Sequence, residues 1–381
     1  MKTLDNFDFT GKKVLLRVDL NSDVINGKVI FGERIKQSAL TIKELMKKKA
    51  GVVVVAHQGN IGKSDFVSLE QHSKFLNKYI KIKFVKDITG KKAIKEINNL
   101  KNGEAILLEN IRFEEDEFHI EKGRKNKLFN LVNLIDIYIN DAFSVCHREH
   151  FSIIGFPKYI KQKGIGRIFE REISALKKIK MKNSLYILGG AKPEDNIKLL
   201  NKKNKILTGG LFAHVCLISL GKDLGAQNKY LEKEKILNND LKIKLRKKLN
   251  KNIIMPIDFA INVNGKRKEI SINDLPTKYE ILDIGRKTID MYIKEIKRAQ
   301  SVYMKGPIGF YQDKKFALGT FKVLEVISKS KEYSLIGGGH LNDAIEKSRI
   351  PKNKFDYISL SGGALLNYVA GERIPGIEAL R

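Results

Sequence analysis

Charged and amide side chains follow short apolar runs in the first half of the sequence. Asp19 and Asn21 follow KVLLRV, His57 follows VVVVA, Glu109, Asn110 and Arg112 follow AILL, and Asn140, Asp141, His147, Arg148 and His150 follow IDIYI. Arg34, Arg112 and Arg148 stand apart from the abundant lysines, because a planar guanidinium grips a carboxylate or phosphate at two points where an ammonium acts as a point charge. That set suits an oxyanion substrate. The second half places glycines at the corresponding positions instead: Gly189 and Gly190, Gly209 and Gly210, Gly306, Gly337 to Gly339, and Gly362 and Gly363. Glycine lets backbone N–H groups come close to a phosphate, and the start of a following helix favours negative charge. Lys192 follows Gly189, Gly190 and Ala191, so an ammonium falls beside this cradle, where it can neutralise a moving phosphoryl group. A surface ion pair would explain any one arginine, a core or capping role either His57 or His147, and solvation Lys192. The repetition at successive run ends carries the reading.

Neither GxxxxGK[ST] nor GxGxxG occurs at these run ends, so a nucleotide has to be bound by another route. No Ser/His/Asp or Cys/His nucleophile arrangement is legible, which argues against covalent hydrolysis.

The runs that must position these residues read as strands at 13–20, 52–57, 82–85, 104–110 and 134–141, then at 184–190, 205–210, 252–258, 301–307, 332–339 and 356–363. Helical spacing fills the intervals, which is a βα rhythm. Runs apolar on both faces belong to parallel sheets covered by helices on each side. The expected fold class is therefore α/β, with two doubly wound, Rossmann-like parallel-sheet domains. Residues 166–182, with Ile168, Phe169, Ile173, Leu176 and Ile179 on one face, predict one amphipathic helix between them. The lysine-rich stretch 229–251 reads as a solvated helix face buried at Leu237, Leu241 and Leu245.

The 381 residues are 42% apolar and 30% charged with only 7 Pro, a composition that excludes collagen-like, coiled-coil and broadly disordered chains. Two cysteines cannot form a disulfide framework and neither has zinc-ligand spacing; without a signal-peptide run or an 18-residue apolar span, a cytoplasmic, soluble protein is expected. The net charge of +29 invites a nucleic-acid reading. The lysines are scattered through almost every segment with no basic-aromatic motif, so neither nucleic acid nor membrane is the expected partner. Small anions still gain encounter rate from the field.

The motifs RVDLN (17–21), AHQG (56–59), LLENIRF (107–113), NDAF with HREH (140–150), LGGAK (188–192), ILTGG (206–210), GPIG with FALGT (306–320), GGGH (337–340) and SGGA with GERIPGIEAL (361–380) occur in the order of the phosphoglycerate kinase family, and the chain resembles its archaeal branch end to end. The resemblance implies reversible phosphoryl transfer from 1,3-bisphosphoglycerate to ADP, giving 3-phosphoglycerate and ATP. It implies an N-terminal phosphoglycerate domain at 1–160, rejoined by the segment 365–381, a hinge helix at 161–182 and a nucleotide domain at 183–364. Carried over by motif, Asp19, Asn21, Arg34, His57, Gln58, Gly59, Asn60, Arg112 and Arg148 would hold the phosphoglycerate. Gly189, Gly190, Lys192, Gly209, Gly210, Pro307, Gln312, Gly337, Gly338, Gly339 and His340 would hold ADP or ATP. Arg34 and Lys192 would be catalytic, with Mg2+ kept by nucleotide phosphates and water rather than by protein ligands. A monomer or homodimer is expected.

Departures from the family pattern gather on the nucleotide side. Lys305 stands where the family commonly has Asn, Gln312 where it has a ribose-binding Glu, and Asn196 where it has a second phosphate lysine. His340 and Leu341 replace the metal-associated Asp and its neighbouring hydroxyl residue, and Leu360 and Ser361 replace the Thr and first Gly of the last glycine block. Asn60 replaces an Arg, which removes one substrate contact. Lys305 is in line to restore the charge lost at Asn196. A related protein that binds ligands with weak or lost catalysis is the alternative these departures leave open.

Overall fold

The structure is a computed structural model that describes residues 1–179, 184–201 and 203–381. Its strands, in chain order, are β1 (Lys13–Arg17), β2 (Val24–Ile25), β3 (Lys28–Val29), β4 (Gly51–Val55), β5 (Lys83–Val85), β6 (Ala105–Leu108), β7 (Ile137–Asn140), β8 (Gln162–Ile165), β9 (Leu185–Leu188), β10 (Lys205–Thr208), β11 (Ile253–Ile254), β12 (Asp258–Val263), β13 (Lys266–Ser271), β14 (Ile281–Ile284), β15 (Ser301–Lys305), β16 (Tyr333–Gly337) and β17 (Tyr357–Ser359). They assemble two six-stranded parallel sheets, ordered β5-β6-β4-β1-β7-β8 and β11-β10-β9-β15-β16-β17. The chain separates into two compact units, Met1–Ser174 with Glu372–Arg381, and Ala175–Gly371.

Both sheets form for the reason the apolar runs imply. Val52, Val53, Val54 and Val55 of β4 are all fully buried, so both strand faces must be covered and each side chain contributes roughly 1.5–3 kcal/mol by leaving water. Helix Glu33–Lys47 supplies part of the cover through Ile35, Ala39, Ile42 and Leu45. On the second sheet, helix Arg286–Arg298 buries Ile289, Tyr292 and Ile296 against the strand core. Leu15 pairs with Val53 on one side and Tyr138 on the other, which fixes the register of the central strand.

Several strands depart from the expected pattern. QKGI of β8 lacks a β-branched run, yet it completes the first sheet beside β7. The single strand expected at 252–258 is cut in two, because Pro256 has no N–H for a ladder; β11 ends at Ile254 and β12 begins at Asp258. β12 leaves the parallel sheet and forms an antiparallel one, ordered β13-β12-β14. The β2–β3 and β12–β13 hairpins each turn on Asn-Gly, with φ 50° and 73° at Asn26 and Gly27 and 49° and 77° at Asn264 and Gly265. Positive φ at both central residues is what a two-residue hairpin of this hand requires.

The helix expected at 166–182 runs over Arg167–Lys178 and buries Phe169, Ile173 and Leu176, with Ile179 buried just past its end; residues 180–182 lie outside the described residues. The stretch 229–251 is split between helices Ala226–Lys233 and Asn239–Lys248, with Leu237, Leu241 and Leu245 buried. Lys235 at φ 56° breaks the first, and the Asn238 side chain caps the second by accepting from the Leu241 amide at 2.8 Å. Among the described residues, no helix is long and apolar enough to cross a membrane.

Candidate functional site

Adjacent strands β6, β4, β1 and β7 of the first unit bring their C-terminal ends side by side, so residues far apart in sequence share one edge. From β1 come Arg17, Asp19 and Asn21; from β4, His57 to Asn60; from the turn after β6, Arg112; and from the segment after β7, Ser144 and Arg148.

Asp19 anchors the group. Its carboxylate stands 3.4 Å from Arg34 Nε and accepts from the Asn21 amide at 3.0 Å and from the Ser144 hydroxyl. Burial opposes its charge, but Arg34, the hydroxyl and the amide outweigh burial and hold the carboxyl well below the usual range. Arg34 is steered further by Nη1 donating to Asn21 O at 2.9 Å, while the Asn21 side-chain oxygen accepts from the Gly59 amide at 2.7 Å. Gly59 has φ 68°, and a Cβ there would lie 2.2 Å from Asp65 O, so only glycine makes this turn.

The cationic side chains are short of counter-charge. Arg112 donates to Gly59 O and to Asn60 Oδ1, at 2.8 Å for the latter, and its buried Nε has no partner. Burial, and then Arg148 and Arg17, push the Arg112 guanidinium down to about 10. Arg148 is likewise lowered, by burial and then Arg17, and among the described residues its guanidinium makes no hydrogen bond or ion pair. His57 is held neutral far below its ordinary range by burial and then Arg17, with Arg112 and Arg148 adding to the effect. Groups that depress one another in this way form a cationic sheet edge that an anion would relax.

Other strand-end residues turn inward to the framework. Gln58 is wholly buried; its amide oxygen accepts from Ser22 N at 2.8 Å and its nitrogen donates to Ser22 O and Asp65 O at 2.9 and 3.1 Å. Asn110 ties the loops together through Gln58 O and Val67 O. Glu109 accepts from Ser68 and Leu69. Asp141 accepts from the Ile168 and Phe169 amides at 2.7 and 3.0 Å, capping the helix that starts at Arg167.

The second unit holds a cavity of about 760 Å³, lined at its polar end by Gly189, Gly190, Lys192, Gly210, Lys305, Pro307, Gly337, Gly338, Gly339 and His340, with Gln312 also in the lining. Helices Gly210–Ser219 and Gly339–Ser348 both start there, and their first amides have no partner within the helix. Phe259, Leu282, Ile308 and Phe310 form an apolar side, two of them carried by the antiparallel sheet.

Its glycines divide into two kinds. A Cβ at Gly189 would lie 2.2 Å from Pro307 O, and one at Gly209 2.3 Å from Ile308 Cβ, so these serve close packing between chain segments. Gly209 is absent from the cavity lining, contrary to the expectation of a ligand contact. Gly338 is different: its φ of 108° excludes other residues while nothing lies within 4 Å of the position a Cβ would take. Open space over an amide-rich turn is what a bound phosphate needs.

Lys305 ends β15 with its ammonium in this cavity. It donates to Asn196 Oδ1 at 2.9 Å and stands 3.5 Å from Asp195 Oδ2, while Asn196 Nδ2 donates to Gly189 O at 2.8 Å. Burial lowers the Lys305 ammonium from its ordinary value.

The residues missed at the sequence level are Arg17, Ser144, Ser152 and Glu117. Arg17 had a signal: a charge inside the apolar run VLLRV has to be neutralised by a partner or a ligand.

The chain matches the phosphoglycerate kinase family over residues 4–372. It is 38% identical to the phosphoglycerate kinase of Methanopyrus kandleri, with 100% of this chain and 97% of that protein aligned. Identity to the phosphoglycerate kinase of Sulfurisphaera tokodaii is 40%, over 99% of this chain and 95% of the other. The crystal structure of phosphoglycerate kinase from Pyrococcus horikoshii superposes with a TM-score of 0.88 at 34% identity, covering 100% of this chain and 98% of that one.

Proposed function

The chain belongs to the phosphoglycerate kinase family and is a kinase with a carboxyl acceptor, passing a phosphoryl group between 1,3-bisphosphoglycerate and ADP, and from that premise we propose how its residues divide the work. Arg34, Arg112 and Arg148, with Asn21, His57 and the Gly59 and Asn60 turn, bind phosphoglycerate in the first unit. Asp19 holds Arg34 in place. The second unit takes the nucleotide: the base lies along Phe259, Leu282 and Phe310, Gln312 serves the ribose, and the amides around Gly190, Gly210 and Gly338 to His340 receive the phosphates. Lys192 neutralises the transferring group, and Lys305 supplies a second phosphate charge.

Catalysis of this kind consists mainly of holding the reacting oxygens in line and neutralising charge as it spreads over the phosphoryl oxygens. No protein nucleophile is needed. A Mg2+ ion would be held by nucleotide phosphates and water, where it would neutralise phosphate charge. The observation that carries this reading is that the first unit gathers underneutralised arginines at its sheet edge and the second unit, by itself, holds an amide-lined cavity.

A coupled assay with 1,3-bisphosphoglycerate and ADP tests it. ATP should form, and Arg34→Ala and Lys192→Ala should each cut turnover by about a hundredfold or more, since each removes a charge aimed at the transition state. Undiminished turnover in both variants would overturn the assignment.

A further inference from the structure

Glu117 touches none of the groups assigned to the substrate, yet it ends a hydrogen-bonded chain that reaches one of them. It is wholly enclosed. Its Oε2 accepts from the Ser152 amide at 2.8 Å and its Oε1 from the Ser152 hydroxyl at 2.6 Å. Ser152 Oγ in turn accepts from Arg17 Nε at 3.0 Å, and Arg17 Nη2 lies 3.1 Å from His57 Nδ1.

The direction of every link is forced. A guanidinium has donors and no lone pair, so His57 Nδ1 must accept, and a neutral ring then carries its proton on Nε2. Ser152 Oγ must likewise accept from Arg17, which leaves its single proton for Glu117 once that carboxyl is ionised. We infer that Glu117 is a positioning residue: acting through Ser152 and Arg17, it fixes His57 as the Nε2–H tautomer, a donor for the anionic substrate. The inference rests on the first unit being the phosphoglycerate site.

The surroundings support it. Burial pushes the Glu117 carboxyl up to about 7, against the pull of Arg17, the two Ser152 bonds and Arg112. His150 Nδ1 stands 3.7 Å from Oε1 and is kept neutral by burial and then Arg112. Tyr138 donates to Ser152 O at 2.7 Å, and Lys122 on the next turn is paired with Asp116 instead. A neutral glutamine at 117 offers one acceptor to two Ser152 donors. Its NH2 would force a proton of Ser152 toward Arg17, and the chain would lose its order.

Nitrogen-15 NMR of histidine-labelled full-length protein tests this, with the His57 signals assigned by their loss in His57→Gln. At about pH 8, where the Glu117 carboxyl is ionised, His57 of the unaltered protein should show the Nε2–H tautomer and no imidazolium. Glu117→Gln and Ser152→Ala should both give mixed tautomers. Their KM for 3-phosphoglycerate should rise about tenfold, or about 1.4 kcal/mol, with the KM for nucleotide unchanged.

A merely structural role would lower the melting temperature and leave the tautomer alone. That result would overturn the inference, as would a fall in KM, which would mean that removing a negative charge outweighs lost order. Should the variants fail to fold, the spectrum of the unaltered protein decides: an Nδ1–H ring, or one titrating in the ordinary histidine range, refutes it. Absence of turnover with phosphoglycerate in the unaltered protein would refute the site assignment, whereas the tautomer is read independently of activity.

Discussion

The ammonium of Lys305 donates to the side-chain oxygen of Asn196 across 2.9 Å, and Asn196 is itself held by Gly189 O. A strand-end lysine is thus steered by a helix-borne amide, and Lys192 lines the same cavity. Lys305→Met should weaken ADP binding to the full chain by about tenfold to a hundredfold, the loss of one charge-assisted hydrogen bond at roughly 1.5–3 kcal/mol. The exchange Lys305→Asn with Asn196→Lys should recover most of it. Calorimetric titration with ADP reads both, and equal affinity in Lys305→Met would remove Lys305 from the phosphate site.

The Arg148 side chain has no ion pair or hydrogen bond among the described residues and is depressed by burial and by Arg17. Its charge therefore burdens the ligand-free protein. Arg148→Met should bind 3-phosphoglycerate about tenfold to a hundredfold more weakly, while its melting temperature without ligand should stay level or rise. A clear drop in melting temperature with affinity intact would make Arg148 a structural residue.

The raised Glu117 carboxyl makes a stability prediction with a definite sign. The folded chain keeps this proton up to about 7, whereas the unfolded chain releases it near an ordinary glutamate value of about 4.3. Stability from this group is therefore full in acid and is lost as pH rises toward neutrality, by an amount on the order of 3 kcal/mol. Denaturant unfolding of Glu117→Gln against the unaltered protein should show a stability difference moving in the variant's favour between about pH 4.5 and 7. A difference that is flat with pH would mean that Glu117 has an ordinary carboxyl.

Asp141 lies in the NDAF segment between substrate-site residues, but its oxygen accepts from the Ile168 and Phe169 amides. Asp141→Ala should cost about 1 kcal/mol of stability, as loss of a helix cap does, with both substrate KM values unchanged. A raised phosphoglycerate KM at unchanged stability would assign Asp141 to the ligand instead.

Much of this was legible because both sheets are buried on two faces, so GVVVV and YSLIG read as strands and their ends point to the site. What escaped had other causes. QKGI has no apolar run, and the charged KRKEIS of β13 resembles a solvated loop. Both hairpins did carry a local signal, Asn-Gly at 26–27 and 264–265, which a search tuned to βα rhythm passes over. Gln58, Glu109, Asn110 and Asp141 share strand ends with the ligand-facing residues, and composition cannot tell a side chain that grips a loop from one that waits for an anion. Arg17 and Glu117 lie 100 positions apart, and only the fold joins them through Ser152.

The three-stranded ribbon that walls the cavity has its own ladder, with Arg267 of β13 paired to Asp283 of β14 and Asp258 tying the ribbon to Thr288 of helix Arg286–Arg298. It shares no strand with the parallel sheet whose ends present amides and lysines. With the base along Phe259 and Leu282, as proposed, base and phosphate would rest on different sheets, and substitutions along the ribbon would alter the base contacts while leaving the amides and lysines in place.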